Sequence, residues 1–411
     1  MLLGIYKEAL KSFYKRFSER FIEGLLLISS TVTSFTVVLI VIFLFKEGIS
    51  VFNGTAVEEG HVMAVNKKNP VSKLSAEEIK NIFDQKIINW NEIGGTKDSI
   101  ILFRLEDISN YFTDEQIGEN FERLPECIGK VVDSIPGVLA FFPDKYLTKT
   151  FNGKVLAFDK IKFKEFFGGK EWFPTAQPAA ALGVLPLILG TLWVSLGAIL
   201  LALPLGLATA IYMSEVAKPR VRNVMKPLIE LLAGIPSVVY GFFGLVVIVP
   251  LIQKLFDLPV GETGLAGSII LGIMALPTII TISEDAMRNT PRAMKEASLA
   301  LGASKWQTIY RIVIPYSMSG ITAGAILGIG RAIGETMAVL MVTGNAAVIP
   351  HSILEPMRTI PATIAAELGE APDEGLHFKA LFALGCILFI ITLFINLTVE
   401  FISGRKKHKK H

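Results

Sequence analysis

The sequence predicts a mainly α-helical polytopic membrane protein with six transmembrane helices and an α/β extracytoplasmic domain inserted between helices 1 and 2. The 411 residues are 51% hydrophobic and 19% charged, with a mean hydropathy of +0.52, which is more apolar than an ordinary soluble domain. The apolar residues are also clustered into runs, each long enough to cross about 30 Å of hydrocarbon. These runs lie at about 24–45, 183–213, 224–253, 263–282, 313–343 and 377–400.

The first apolar run follows a basic segment and could be a membrane anchor or a signal peptide. Its apolar core is longer than a signal-peptide h-region and no A-x-A-like site follows it, so we expect residues 23–46 to be the first transmembrane helix. Residues 1–22 carry leucine and aromatic residues at helical spacing with lysines between them. They form either a cytoplasmic amphipathic helix on the membrane surface or a helical extension of the first span.

Basic residues in short loops predict the orientation of the spans. Lysine and arginine are concentrated in the N-terminal segment, in the loops at 218–222 and 288–305, and in the tail, residues 404–411. With six spans these segments lie on one side, so we expect cytoplasmic N- and C-termini. The formal net charge of +3 therefore reflects topology, and no basic patch with interleaved aromatic residues indicates nucleic-acid binding.

Residues 47–172 have the pattern of a separate soluble α/β domain. "MAVNKK", "IILFR" and "PGVLAFF" are typical of short buried strands. "SAEEIKNIFDQK" begins with a serine N-cap and places Ile79, Ile82 and Phe83 on one helical face. The proline- and alanine-rich residues 173–183 are predicted to be a linker, followed by a block of five spans over 184–403. The two cysteines, Cys127 and Cys386, predict neither a disulfide framework nor a metal site.

The loop at 283–315 is too polar to be embedded in the membrane. Thr290 followed by Pro291 predicts a helix N-cap and a proline at the first helical position, and Gly302 can adopt the positive φ that ends a helix. The resulting helix pair would carry an apolar face made of Leu299, Trp306, Ile309 and Tyr310. It is either a plain cytoplasmic loop or a docking site for a soluble partner.

Span 5 contains two ionisable residues, Arg331 and Glu335, in "LGIGRAIGETMAVLMVTG" (327–344). Their i, i+4 spacing predicts one shared helix face, and Arg331 lies 16 residues beyond Pro315, about 24 Å along a helix. Either the two charges neutralise each other inside the bundle, or they line a translocation path in which the guanidinium binds an oxyanion. Ionisable groups at this depth are commonly functional, which favours the path.

Glycines accompany these charges. Gly320, Gly324 and Gly328 form one series at four-residue spacing, and Gly330 with Gly334 forms a second. Small residues at this spacing allow helices to approach closely.

Glu230, about six residues inside span 3, is a further candidate path residue, although an interfacial or helix-start carboxylate is the alternative. Gly234 and Pro236 are predicted to break or kink that helix.

"EASLALGASKWQTIYRIVIP" resembles the EAA loop of type I ABC importer permeases. The pattern matches at Glu296, Ala297, Gly302, Ile312 and Pro315, with Ser298 at its third position and Ile314 for leucine. The resemblance implies that this segment is a coupling helix seated in a cytoplasmic ATPase, with Glu296, Ala297, Gly302 and Ala303 at the contact. No G-x-x-x-x-G-K-[ST] occurs in the chain. The chain is therefore predicted not to be an enzyme and to bind no cofactor or metal, while ATP and magnesium bind to the partner ATPase.

A closer resemblance is to the PstC-type permease subunits of phosphate-specific ABC importers. It is carried by "LPLILGTLWVSLGAILLALPLGLATAIYMSE", "ELLAGIPSVVYGFFGL", "GIGRAIGETMAVLMVTGN" and "TIPATIAAELGE". It implies a bacterial inner-membrane location, a homologous second permease subunit, an ATPase dimer, an extracytoplasmic phosphate-binding protein, and inorganic phosphate on a path that includes Arg331 and Glu335. The alternatives are a permease for another oxyanion or small solute, and a membrane-anchored phosphate receptor or sensor.

The extracytoplasmic domain resembles one lobe of a periplasmic phosphate-binding protein. "NPVSKLSAEEIKNIFDQKIINWNEIGG", "ILFR" and "IPGVLAFFPDKYL" carry this likeness. In that family a Gly/Ser-rich turn after the arginine holds the anion at a helix N-terminus. This chain has "RLEDISNYF" there, and Glu106 and Asp107 would repel an anion. We therefore expect a docking, spacer or regulatory role for the domain rather than phosphate binding.

Overall fold

The computed structural model describes residues 2–57, 60–118 and 121–408. Within these residues, six helical segments are long and apolar enough to cross a membrane, which confirms the predicted number of spans. They are Phe21–Asn53, Leu185–Val216, Ser237–Phe256, Gly264–Arg288, Lys305–Gly334 and Leu376–Phe401.

The described residues form sixteen α-helices and eight strands. The helices are α1 (Leu2–Ser50), α2 (Ala76–Phe83), α3 (Asp114–Ile117), α4 (Leu124–Ser134), α5 (Phe163–Gly168), α6 (Leu185–Ile211), α7 (Pro219–Ala233), α8 (Ser237–Phe243), α9 (Val249–Phe256), α10 (Gly264–Arg288), α11 (Arg292–Ala300), α12 (Lys305–Thr308), α13 (Ile314–Gly334), α14 (Met337–Val342), α15 (Ile360–Glu367) and α16 (Leu376–His408). The strands are β1 (His61–Val65), β2 (Lys73–Leu74), β3 (Ile101–Arg104), β4 (Val138–Pro143), β5 (Lys154–Val155), β6 (Ala157–Phe158), β7 (Trp172–Phe173) and β8 (Ala181–Leu182).

The N-terminal segment continues directly into the first span, because α1 is one uninterrupted helix over Leu2–Ser50. Its backbone therefore matches the helical extension rather than a separate amphipathic helix. The side chains of residues 1–20, on which the surface-helix interpretation depends, lie outside the described part of the chain. At the other end, α16 continues as helix to His408, and residues 409–411 of the tail also lie outside it.

The centre of the membrane block is α10, which packs between α6 and α13 and is the most buried span. Glycines bring these helices close together. A Cβ atom added at Gly206 of α6 would lie 2.8 Å from Cγ2 of Ile279 on α10, and one added at Gly328 of α13 would lie 2.7 Å from Cγ1 of the same residue. Both neighbouring helices thus approach Ile279 through a residue without a side chain. For Gly328, this is the close approach that the small-residue spacing of span 5 predicted.

The predicted span at 224–253 is divided in the structure. Residues 219–233 form the separate helix α7, and the chain turns at Gly234–Pro236 before α8 begins. Proline 236 has a ψ of 142°, outside the helical region, so the predicted break at these residues is confirmed. The third span consists of α8, a π-helical turn at 244–248, and α9. The predicted bounds were wrong because the apolar face of α7 resembles the beginning of a span.

The inserted domain, residues 54–183, contains a four-stranded sheet in the order β3-β4-β1-β5. β1 is antiparallel to β4 and β5, while β3 and β4 are parallel and joined through α4. Helix α2 begins as predicted, because the Ser75 hydroxyl accepts from the backbone N–H of Glu78 and the Glu78 carboxylate accepts from the backbone N–H of Ser75. This reciprocal cap satisfies two backbone donors that a helix start leaves unpaired.

The inserted domain shares a buried core with the membrane helices. One face of its sheet, including Met63 and Val65, belongs to the same apolar cluster as Leu187 of α6 and Leu384 of α16. The other face, including Ala64, packs against α4 in a second cluster. The domain is therefore seated on the membrane block through one side of its sheet.

Residues 173–183 do not form the predicted linker. β7 and β8 pair as an antiparallel hairpin, and Ala179 and Leu182 are buried. The backbone N–H of Trp172 donates to the carbonyl of Ala347, between α14 and α15. Proline and alanine suggested an open chain, but their small apolar surfaces are buried between the domain and the membrane block.

Candidate functional site

The predicted coupling loop forms a short helical pair at one end of the membrane block. Helix α10 continues to Arg288, so the loop begins later than its predicted start at 283. Helix α11 follows, and Gly302 ends it with a φ of 85°, in the left-handed region that favours glycine. Nothing lies within 4 Å of a Cβ added at Gly302, so its backbone conformation, and not lack of space, calls for glycine.

The residues predicted to contact an ATPase are at the surface of this pair. Glu296, Ala297 and Gly302 are exposed and Ala303 is partly exposed. The apolar side chains of Leu299, Trp306 and Tyr310 are also exposed, as predicted, but Ile309 is buried and does not contribute to that surface. Leu301, at the tip of the loop, is 89% exposed. An apolar knob thus projects from the membrane block, formed by Leu299, Leu301, Trp306 and Tyr310.

Three polar contacts fix the loop, two of them to membrane helices and one within its own helical pair. Lys295 Nζ donates to Glu215 Oε1 at 2.6 Å, in the π-helical turn that ends span 2. The hydroxyls of Ser298 and Thr308 lie 3.0 Å apart and join α11 to α12, so the serine at the third EAA position has a local role.

The third contact corrects the predicted start of α11. The N-cap is Pro291 and the helix begins at Arg292. Thr290 is buried instead, and its hydroxyl lies 3.2 Å from that of Ser317 on α13. The hydroxyl is thus used between two helices and does not cap α11.

A buried carboxylate joins α7 to α10 at the same end of the block. Glu284 is 1% exposed, and its two oxygens accept from Arg222 Nε at 2.8 Å and from Lys226 Nζ at 2.9 Å. Lys226 also contacts Asp285 at 2.8 Å. Sequence reasoning missed this cluster because it placed Glu284 in a solvated loop. The sequence does contain a signal for this cluster: α7 is a basic amphipathic helix, and the neighbouring span α10 ends in acidic residues.

Arg331 is partly buried on α13, close to two glycines that have open space beside them. Leu327, Gly330 and Gly334 share its face by helical spacing, and nothing lies within 4 Å of a Cβ added at either glycine. The opposite face carries Gly324 and Gly328, which pack on α10. The two glycine series therefore differ: one packs helices together, and the other leaves open space beside the arginine.

Glu335 does not share a helix face with Arg331. Helix α13 ends at Gly334, Glu335 is extended with φ −73° and ψ 132°, and α14 starts at Met337. In the part of the chain that the structure describes, neither residue forms an ion pair within 4.0 Å. The expected i, i+4 relationship was wrong because the helix breaks between the two residues. Mutual neutralisation by direct contact is therefore not observed.

The break at Glu335 borders an open groove of about 480 Å³. Gly334 and Thr336 lie on one side of the groove, and Ile364, Leu368 and Leu388 on the other. Ala332, just after Arg331, is buried in a cluster with Tyr240 of α8, whose hydroxyl donates to the Leu232 carbonyl at 2.8 Å. The broken segments of spans 3 and 5 thus pack together.

Glu230 lies outside the third span, contrary to its predicted position. It is exposed on α7, before the turn at Gly234–Pro236. The structure therefore matches the alternative of a carboxylate at the membrane boundary. Sequence reasoning placed it inside a span because the apolar run was extended back through α7.

A second charged cluster lies where the inserted domain meets the membrane block. Glu367 of α15 accepts from Arg358 Nη1 at 2.7 Å and from Trp172 Nε1 at 3.0 Å, and it lies 2.8 Å from His377 Nε2. Burial raises the pKa of Glu367, but the hydrogen bonds from His377 and Trp172 and the charge of Arg358 outweigh it and hold the pKa below its ordinary value. Sequence reasoning did not identify this cluster, since its members are distant in the chain.

The inserted domain carries a cavity of about 410 Å³ beside Arg104. The backbone N–H of Arg104 donates to Asp107 Oδ2 at 2.9 Å, and the guanidinium lies over the Phe83 ring at 5.3 Å. Glu106 also lines the cavity. The backbone donor that precedes this turn is therefore occupied by a carboxylate of the chain itself.

These features define a multi-pass membrane protein with a projecting helical loop and an ionisable group beside open space on a span. Residues 202–408 match the family described as binding-protein-dependent transport system inner membrane component. The chain belongs to this family, which confirms the permease resemblance. The match does not include the inserted domain, whose likeness to a phosphate-binding lobe stays a prediction.

Two curated relatives illustrate the match. The chain is 40% identical to the probable ABC transporter permease protein YqgH of Bacillus subtilis over 243 residues, covering 59% of this chain and 78% of the relative. It is also 40% identical to the phosphate transport system permease protein PstC of Mesorhizobium japonicum over 249 residues, covering 56% and 75%. Among solved structures, an inward-facing MetNI methionine ABC transporter matches with 17% identity and a TM-score of 0.41, covering 55% of this chain and 94% of that one.

Proposed function

We propose that this chain is one permease subunit of an ATP-driven phosphate importer in a bacterial inner membrane. The family membership and the relatives named as phosphate transport permeases support this function. The observation that carries it is the position of Arg331, a guanidinium on a membrane helix beside the open space at Gly330 and Gly334. Among the residues that the structure describes, it forms no ion pair with a carboxylate within 4.0 Å. An oxyanion is the natural ligand for such a group, because the guanidinium offers a planar set of donors.

In this proposal the face of α13 that carries Arg331 lines the translocation path opposite a homologous second permease subunit. Glu335 directly follows the end of α13, and in this proposal it also lines the path. Its charge keeps phosphate from binding Arg331 so tightly that release becomes slow. Glu230 lies on α7, before the third span begins at Ser237, and the proposal assigns it no role in the path.

The loop around α11 couples the permease to a cytoplasmic ATPase dimer, which binds ATP and magnesium. Glu296, Ala297, Gly302 and Ala303 contact the ATPase together with the exposed apolar knob. In this proposal the loop, both termini and the exposed face of α7 lie in the cytoplasm. An extracytoplasmic phosphate-binding protein delivers phosphate to the opposite side, where the inserted domain lies. The chain itself binds no nucleotide.

The substrate is tested by ATP-dependent uptake of radiolabelled phosphate into proteoliposomes that contain the complete complex and its binding protein. We expect uptake that unlabelled phosphate suppresses and that equimolar sulfate or methionine does not. If the complex takes up another solute but not phosphate, the chain is a permease with a different substrate. A chain that binds phosphate without moving it, and that does not co-purify with an ATPase, would instead be a receptor.

The coupling role is tested with Gly302→Val. A β-branched residue is strained at a φ of 85°, so the loop should change shape and ATPase binding should weaken. Ala300→Val, at the exposed end of α11, is the control because it also introduces a valine, but at a position with helical backbone. Normal ATPase binding by Gly302→Val would count against this role.

A further inference from the structure

We propose that α5 and the aromatic residues around it are a membrane-interface anchor, through which the inserted domain rests on the phospholipid surface. The anchor consists of Phe52, Phe163 and Phe167, with the lysines beside them. This goes beyond the transport function, since it assigns a lipid-binding surface to a domain outside the matched family region.

Three phenylalanine rings form a continuous stack. The Phe52 and Phe163 rings are 3.9 Å apart and nearly parallel, at 9°. The Phe163 and Phe167 rings are 5.8 Å apart, at 11°. Phe166 is buried behind them and meets Phe52 edge-on at 5.4 Å. The rings are therefore held in place by the fold of the domain.

The two rings that α5 contributes to this stack are exposed. Phe163 is 62% and Phe167 is 41% exposed, although each aromatic ring gains from removal from water. A short helix that presents two adjacent exposed rings on an otherwise well-packed domain is typical of a surface that another phase or molecule covers.

The position of the stack favours lipid as that cover. Phe52 lies at the end of the first span, Phe21–Asn53, whose most apolar stretch contains no buried side chain. A Cβ at Gly54 would lie 3.0 Å from Leu376, the first residue of the last span. The stack thus lies where two spans leave the membrane, which is the level at which aromatic side chains collect. The exposed rings continue a surface that already faces lipid.

The charges around α5 match an anionic phospholipid surface. Lys160, Lys164 and Lys170 are exposed, and in the described part of the chain none of them forms an ion pair within 4.0 Å. Lys162, in contrast, pairs with Asp159 at 2.8 Å. Apolar rings flanked by unpaired lysines are the composition of an interfacial anchor.

Spin-label accessibility tests this anchor in the full chain. Cys127 and Cys386, both buried, are first replaced by alanine. A single label is then placed by Phe163→Cys, by Phe167→Cys, or by Tyr111→Cys as the matched control. Tyr111 is an exposed aromatic on the side of the sheet away from the membrane helices. The protein is reconstituted in vesicles of phosphatidylethanolamine and phosphatidylglycerol.

We expect the ratio of oxygen to nickel-chelate accessibility to be severalfold higher at positions 163 and 167 than at 111, because oxygen partitions into lipid. The double variant Lys164→Glu with Lys170→Glu should have a lower ratio at position 167 than the parent protein. In vesicles of phosphatidylcholine alone, the ratios of the variant and the parent should differ less. Equal ratios at all three positions would overturn the proposal. A low ratio at 163 and 167 that falls further when the binding protein is added would assign the surface to a protein partner instead.

Discussion

Lys295 Nζ lies 2.6 Å from Glu215 Oε1, so α11 is attached by an ion pair to the turn that ends span 2. The same loop continues through α12 and a π-helical turn into α13 without interruption. A displacement of α11 would therefore act on two spans together. One of these is the span that carries Arg331, which lies about five helical turns beyond the start of α13 at 3.6 residues per turn.

The ion pair between Lys295 and Glu215 should contribute to transport more than to assembly. Both side chains are mostly buried, and Lys295→Met leaves the Glu215 carboxylate without its partner. Coupling free energies between linked sites are about 1–3 kcal/mol, so we expect phosphate transported per ATP hydrolysed to fall about tenfold. The measurement is uptake and ATP hydrolysis on the same proteoliposomes.

The control is the exchange of the two charges, Lys295→Glu with Glu215→Lys. This pair restores opposite charges at the same place and should recover part of the lost coupling. If Lys295→Met transports normally per ATP, the ion pair has no coupling role.

Glu284 should be a major determinant of stability at the junction of α7 and α10. Glu284→Gln leaves Arg222 and Lys226 without the buried charge that they share, and breaking a buried ion pair costs about 3–5 kcal/mol. The neighbouring Asp285→Asn is the control, since Asp285 is 55% exposed and surface pairs contribute about 0–1 kcal/mol. Thermal unfolding in detergent should separate the two variants, and equal melting temperatures would contradict this role.

The two glycine series of α13 should respond differently to the same substitution. Gly328→Val forces a side chain against Ile279, where a Cβ alone would lie 2.7 Å from Cγ1. We expect a loss of about 1–3 kcal/mol in the free energy of unfolding, the usual cost of overpacking. Gly330→Val adds the same side chain into open space and should leave stability nearly unchanged. The account of the two faces fails if Gly330→Val is the more destabilising.

Glu367 should stabilise the junction with the inserted domain in a pH-dependent way. Its pKa is lowered from its ordinary value of 4.5, so the stabilisation is fully present above that value and is lost as pH falls through the lowered pKa. Glu367→Gln should cost about 1–3 kcal/mol at neutral pH, because Arg358 loses a charged acceptor. The melting temperatures of wild type and variant should converge in acid. A difference that is independent of pH would show that the charge of Glu367 is not responsible.

The spans and the coupling loop could be predicted from the sequence because hydrocarbon thickness and helix signals act locally. Each of these features can be recognised from a few neighbouring residues: the long apolar runs, the glycine at 302 and the serine cap at 75. The sequence also indicated a break at Gly234–Pro236, but not that the preceding helix lies outside the span. Apolar periodicity alone does not separate an amphipathic α7 from a buried span.

The geometry around Arg331 and Glu335 could not be predicted, since it depends on tertiary contacts. "RAIGETMAV" has no proline to indicate the end of α13, and the chain nevertheless becomes extended at Glu335. The Glu284 and Glu367 clusters are similar cases, because their partners come from separate elements. Sequence spacing indicates which charges are neighbours along a helix, but it does not indicate where that helix ends.

The most direct test of the account is phosphate uptake by the assembled complex carrying Arg331→Gln. We expect uptake to fall to near the level without ATP, while subunit assembly and ATPase binding are unchanged. Arg331→Lys, which keeps the charge but loses the planar set of donors, should retain an intermediate rate. Near-normal uptake by Arg331→Gln in an intact complex would contradict the assignment of this arginine to the phosphate path.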